Sequence, residues 1–190
     1  MKNIILQHWT GELGPLELAS KANMEKYAKQ CGAEYQLILG NQFHPKLHGC
    51  YQKLIMLDKR FDKYQDTLMV DLDMFVVKNV KENVFHVPGV GLNSKVQKDI
   101  FKAMCKGKKY RSVTDSNGPF WGGAFWKFTN EQRKQLRKFI VDKELKIFNK
   151  NFNDEGAIHR LATLAGLKQI DVPEEWCWGN CFPGYEKAKM

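Results

Sequence analysis

Segments of period two alternate along this chain with segments of helical period, and that alternation constrains the fold more than any other feature. Strand, helix and strand in succession pack as a mostly parallel sheet with helices on both faces, an α/β fold. Asn3–Gln7 reads as a short buried strand, and Pro15 opens a helix in which Met24, Tyr27, Ala28 and Cys31 share a face and Gly32 marks the end. In Glu34–Leu39, Tyr35, Leu37 and Leu39 alternate, with Gly40-Asn41 closing the strand. Tyr51–Phe61 reads as a helix carrying Leu54, Leu57 and Phe61, and Thr67–Val77 as a long apolar strand. Val87–Leu92 is a further strand, and Ser94 caps a helix with Val96, Ile100, Phe101 and Met104 inward. Trp121–Phe128 is the next strand, followed by a capping box in Thr129-Asn130-Glu131-Gln132 and a helix burying Leu136, Phe139 and Ile140. A last helix starts at Asn153 or Asp154, carries Ile158, Leu161, Ala162 and Ala165, and ends at Gly166; Gln169–Val172 reads as a final strand.

No repeat or linker divides the 190 residues, so one domain is expected over 1–190. The first apolar run is too short for a signal peptide, and no run approaches the roughly 18 residues of a membrane span, so the expected location is the cytoplasm. Five cysteines (Cys31, Cys50, Cys105, Cys177 and Cys181) are odd in number and scattered, which reads as reduced thiols rather than a disulfide framework. Thirty Lys and Arg against 21 Asp and Glu give a net charge of +9, a field that recruits phosphates. Part of the excess lies in Lys95, Lys98, Lys102, Lys106, Lys108, Lys109 and Arg111. A solvated face explains that run adequately.

Charged residues stand out where a buried strand should have none. Asp71 and Asp73 lie two apart in Thr67–Val77, so the strand period points both carboxylates to one side. Two such carboxylates repel in apolar surroundings unless a cation, protonation or solvent relieves them. A hard divalent ion, Mn²⁺ or Mg²⁺, bridging to a substrate diphosphate satisfies that requirement. Solvent at a strand end is the plainer explanation.

The Asp-x-Asp on an apolar strand resembles the hallmark of the GT-A fold glycosyltransferases, and its surroundings are most similar to their glycogenin-like branch. Gly49-Cys50-Tyr51-Gln52-Lys53-Leu54 resembles the helix that precedes that strand in the family. Trp121-Gly122-Gly123-Ala124-Phe125 is similar to its Asn-Ser-Gly-Val-Phe strand, and Asp154-Glu155-Gly156-Ala157-Ile158-His159 to its Asp-Gln-Gly-Leu-Leu-Asn helix start. The resemblance runs from about residue 3 to about 165, and it implies a nucleotide-binding part over about 1–77 and an acceptor-side part over about 78–190 of the one domain. It implies a hexosyltransferase that moves a sugar, with glucose the best candidate, from a UDP-sugar to an acceptor it leaves unassigned.

By that resemblance Asp73 binds the metal, Asp71 shares the metal and the donor ribose, and Lys53 faces the diphosphate or sugar. Gln7, His8, Trp9 and Thr10 stand where the family grips the nucleobase, and Trp121, Gly122 and Gly123 where it contacts the sugar. Asp154 and Glu155 stand at the family's supposed catalytic point, though an N-cap and first-turn acid would account for them structurally. The chain also departs from the pattern. Trp121 replaces an Asn, and Glu155 replaces a Gln, which would supply a general base where the family has an amide. The late His-x-x-Gly-x-x-Lys-Pro-Trp segment has no counterpart, since no His follows His159. Cys177 and Cys181, four apart without a His, make a poor zinc pattern.

Two other functions remain open on sequence. A sugar nucleotidyltransferase would show a Gly-rich phosphate loop, of which Trp9–Gly14 is a poor version. A nucleic-acid-binding module would use 95–111 but would leave the paired aspartates unexplained, so nucleic acid is the disfavoured partner. A second copy of the chain is a candidate partner, because so small a chain can borrow residues to complete its site.

Overall fold

The computed structural model describes residues 2–92, 118–140, 153–176 and 189–190. Its centre is a mixed sheet of four strands, β1 (Ile4–Trp9), β2 (Glu34–Leu39), β3 (Asp66–Val70) and β4 (Phe125–Thr129), in the order β2-β1-β3-β4. β1 runs parallel to both β2 and β3, and β4 runs antiparallel to β3. Gln7 stands opposite both Leu37 and Val70, so the carboxyl ends of the three parallel strands share one edge. Asp71 follows directly at that edge.

Side-chain alternation assigns the two faces. Ile5, Leu68, Val70 and Phe125 pack in one core with Met24, Tyr27 and Ala28 of α1 (Pro15–Gln30). Ile4, Leu6, Met69, Trp126 and Phe128 pack in the other with the 3-10 helix Gly49–Leu57, with Leu136 of α2 (Asn130–Arg137) and with Ile158, Leu161 and Ala162 of α3 (Asn153–Leu164). The expected α/β architecture is therefore present, with helices on both faces.

The helix signals act as read. Pro15 is the first residue of α1, and the Gly14 N–H donates to Glu17 Oε2 at 2.9 Å. The Thr129 and Gln132 side chains exchange hydrogen bonds with each other's backbone N–H, forming a reciprocal cap at the start of α2. Phe139 and Ile140 lie just past the end of α2 and pack partly against the core.

Five expectations change. Tyr51–Phe61 is not an α-helix but two 3-10 helices, Gly49–Leu57 and Lys59–Phe61. Tyr51, Leu54 and Leu57 recur every three residues, the 3-10 period, and every residue from Tyr51 to Leu57 is buried. The strand expected over Thr67–Val77 stops at Val70, because Met74 N–H donates to Asp71 O and closes a turn. Beyond it, Val76 is held by the Asn23 side chain of α1 rather than by a strand. Val87–Leu92 forms no strand. The 3-10 turn Val84–His86 leads to Gly89, at φ 101, where a Cβ would lie 2.4 Å from the Asp171 backbone. Gln169–Val172 contributes only the bridge between Asp171 and Gly91. The strand expected over Trp121–Phe128 begins at Phe125. The Ser94 helix, the basic run 95–111, Cys105, Cys177 and Cys181 lie outside the described residues. Among the described residues, no helix is long and apolar enough to cross a membrane.

α2 is fastened from inside. Arg133, fully buried, donates to the carbonyls of Phe128 at 2.9 Å, Phe61 at 3.0 Å and Tyr64 at 2.9 Å. Burial pulls its guanidinium below the ordinary arginine value. Arg133→Met would remove three buried hydrogen bonds, although Phe61 O keeps the Tyr64 N–H and Tyr64 O keeps the Asn130 side chain, so a loss of about 3 kcal/mol is expected in urea unfolding. The exposed Lys134→Ala should change stability by less than about 0.5 kcal/mol.

Candidate active site

The edge where β1 and β3 end carries a buried cation. Lys53 projects from the 3-10 helix and is 8% exposed. Its Nζ lies 2.7 Å from Asp71 Oδ1, 2.6 Å from Asp154 Oδ2 and 2.8 Å from Gly123 O. An ammonium has three protons, and these three acceptors take them all. The Trp126 ring lies beneath, with its centroid 5.2 Å from Nζ. Burial pulls the Lys53 ammonium down, but Asp71 and Asp154 outweigh it, so Lys53 titrates above the ordinary lysine value.

Three separate parts of the chain meet at that nitrogen. Asp71 comes from the turn after β3, Asp154 from the first turn of α3, and Gly123 from the approach to β4. Gly123 is bound from both sides, because its N–H donates to Glu155 Oε1 at 2.8 Å. A Cβ there would lie 2.9 Å from Asp154 Oδ2, an oxygen already fixed by Lys53.

The carboxylates differ in their surroundings. Burial raises the Asp71 carboxyl above its usual range, Lys53 opposes the rise, and the charges of Asp154 and Asp73 add to it. Burial likewise raises Glu155, against the Gly123 N–H. Asp73 is exposed, and its carboxylate has no partner among the described residues. The two aspartates thus sit on a turn instead of on one strand face, and the period-two argument for their common direction does not apply. They remain close enough for the charge of Asp73 to act on Asp71.

The expected nucleobase residues occupy the end of β1. Gln7 is fully buried: its Nε2 donates to Ser20 Oγ and to Asp71 O, each at 3.0 Å, and its Oε1 accepts from Tyr35 at 2.8 Å. It therefore holds the Asp71 turn from below. His8 donates from Nε2 to Gly40 O at 2.9 Å, and burial lowers its imidazole below the ordinary value. Trp9 is half-buried and donates to Glu12 O, while Thr10 is exposed and its Oγ1 lies against Gly49, which opens the Lys53 helix. Trp121 is fully buried and packs edge-on to Phe128 at 6.0 Å in the core, away from solvent. Gly122 and Gly123 are half-buried.

Two contributors escape the sequence reading. Trp126 was legible only as an aromatic within a strand. Ser20 interrupts the apolar stripe of α1 one turn before Met24, and a polar residue in that position was the available signal. Its hydroxyl donates to Met74 O at 2.6 Å and closes the turn that carries both aspartates.

A divalent cation is tested here by the donor set. Among the described residues no three His, Cys, Asp or Glu side chains form a metal cluster. Asp71 and Asp73 nevertheless suit Mg²⁺ or Mn²⁺ held in the usual manner by one or two carboxylates, with water and substrate phosphate completing the shell.

No protein-family model and no curated protein matches the chain. Among solved structures, a glycosyltransferase involved in the glycosylation of the major capsid of PBCV-1 overlays with a TM-score of 0.48 and 10% identity, covering 78% of this chain and 71% of that one. A likeness this distant says nothing of chemistry.

Removing Lys53 strands two carboxylates. Lys53→Met should lower stability by about 3 kcal/mol at neutral pH, at the modest end for a broken buried pair because the Asp71 side chain is 34% exposed. Without the ammonium, the Asp71 pKa rises further above its unfolded value, so stability is lost as pH rises through it. The deficit should shrink between pH 7 and about pH 4, because the Asp71 carboxyl, raised by burial, takes up its proton before that of an unfolded aspartate does. Urea midpoints at the two pH values check this.

Proposed function

We infer that the chain is a glycosyltransferase that moves a hexose, with glucose the first candidate, from a UDP-sugar to an acceptor hydroxyl. The observation that carries this reading is the carboxylate-rich turn Asp71–Met74 at the carboxyl edge of the parallel strands, facing Lys53, Asp154 and Glu155. Ligands of open α/β sheets bind beyond that edge. The resemblance of Lys53-Leu54, Asp71-Leu72-Asp73 and Asp154-Glu155 to the glycogenin-like motifs adds the donor class.

Asp73 and the outer oxygen of Asp71 would hold Mn²⁺ or Mg²⁺. Such an ion, when bound, supplies charge that stabilises a departing diphosphate. Every proton of Lys53 is already engaged, so its part in this reading is to hold Asp71 and Asp154 in place and to keep the site's charge balanced. Asp154, fixed by Lys53, orients the sugar. Glu155, whose carboxyl is raised by burial, is placed to accept a proton from the acceptor. The end of β1, with Trp9 half-buried and Thr10 exposed, is the surface left for the base.

Carboxylates at Asp71, Asp73, Asp154 and Glu155 would repel a polyanion, which disfavours nucleic acid at this edge.

Calorimetric titration of UDP tests the donor half of the reading. Binding is expected with Mn²⁺, and Asp73→Ala should weaken it at least tenfold, about 1.4 kcal/mol. Absence of UDP binding by the folded protein, with and without metal, would overturn the uridine donor. Once turnover is measured, Asp154→Asn should lower kcat by about a hundredfold while the UDP affinity changes little. An equal fall in both would place Asp154 in donor binding instead.

A further inference from the structure

A cleft of about 210 Å³ opens at the end of β3 away from the Lys53 centre. Asp66 begins that strand and Asp71 follows its end, so five residues at about 3.3 Å each put the two roughly 17 Å apart along it. In the antiparallel register Asp66 faces Thr129 and Leu68 faces Lys127. Asp66 and Lys127 are therefore diagonal neighbours on the same face of the sheet.

These two charges are not joined. Lys127 is 8% exposed and donates to the carbonyls of Val84, at 2.9 Å, and Val87. That leaves one ammonium proton, and Lys127 has no ion-pair partner among the described residues. The backbone N–H of Asp66 donates to Asn3 Oδ1 at 3.2 Å, and its carboxylate accepts nothing among the described residues. Burial pushes the Lys127 ammonium down to about 8 against the pull of Asp66, and burial raises Asp66. The two charges act on one another, and Arg133 also acts on Asp66, but neither is closed in an ion pair among the described residues. Gln132 adds an amide Nε2 without a partner among the described residues, its Oε1 being spent on the Thr129 N–H. Phe85, Val90 and Ile170 add apolar lining, the last 48% exposed at the rim.

A buried ammonium and a carboxylate, neither closed in an ion pair among the described residues, with apolar side chains in the same lining, fit a ligand that carries both charges and an apolar group. The volume is below the roughly 300–1,000 Å³ of pockets for drug-sized ligands, so the ligand has few heavy atoms. We propose that this cleft binds a small zwitterion of the amino-acid class, its carboxylate on Lys127, its ammonium on Asp66, and an apolar side chain against Phe85, Val90 and Ile170. The site is independent of the transferase reading, since it shares no residue with the Lys53 centre.

Amide NMR of the full chain, titrated with L-leucine, isocaproate and isopentylamine, tests the proposal. These probes offer both charges, the anion alone and the cation alone. Leucine should shift the Val90 backbone and Gln132 side-chain resonances at millimolar concentration, with each single-charge probe at least tenfold weaker. Asp66→Asn should remove the preference for leucine over isocaproate, and Lys127→Met the preference over isopentylamine. Should Lys127→Met fail to fold, the half-buried Asp66→Asn decides alone. No shift with leucine, equal affinity for all three probes, or an Asp66→Asn variant that keeps the full preference would each overturn it.

Discussion

The ammonium of Lys53 is the constraint on which the rest of the site depends. A buried charge is tolerable only when every proton is taken and opposite charge lies close. Lys53 satisfies this by drawing Asp71, Asp154 and Gly123 to one point from three distant parts of the chain. The turn after β3, the start of α3 and the approach to β4 are thereby fixed relative to the sheet. Gln7 and Ser20 complete the arrangement from below, holding the backbone of the Asp71 turn at both of its ends.

That arrangement divides labour among four carboxylates. Asp71 and Asp154 are compensated by Lys53, whereas Asp73 is exposed and Glu155 is raised by burial. In the proposed reading this division suits a diphosphate. The compensated pair would stay in place in the absence of ligand, and the exposed member would take a cation that arrives with the phosphates. The two charged ends of β3 are also different in kind: at Asp71 the charges are closed on one another, and at Asp66 they are left apart.

Much of the fold was legible because period and punctuation agree in this chain. β2 and the start of α1 stand where alternation, Pro15 and Gly40 put them, and the reciprocal cap of Thr129 with Gln132 fixes α2. The long strand through Asp71 was overread, because Val76 and Val77 continue an apolar pattern that the Asp71–Met74 turn interrupts. The Lys53 segment was assigned the wrong helix type, since burial on all sides removed the polar face that distinguishes a 3.6 from a 3.0 period. The composition of the site was readable from its residue types, but not its wiring. Sequence reading turned Lys53 towards a ligand. In the fold its protons are consumed internally, a fact that only the convergence of three segments separated by up to about a hundred residues reveals.

The central claim, that the turn held by Lys53 binds a metal together with a nucleoside diphosphate, is tested most directly by electron paramagnetic resonance of Mn²⁺. The free-ion signal should fall when the protein and UDP are present together, and should persist when Asp71→Asn with Asp73→Ala replaces the native chain. A free-ion signal unchanged by the folded native protein with UDP would contradict the account.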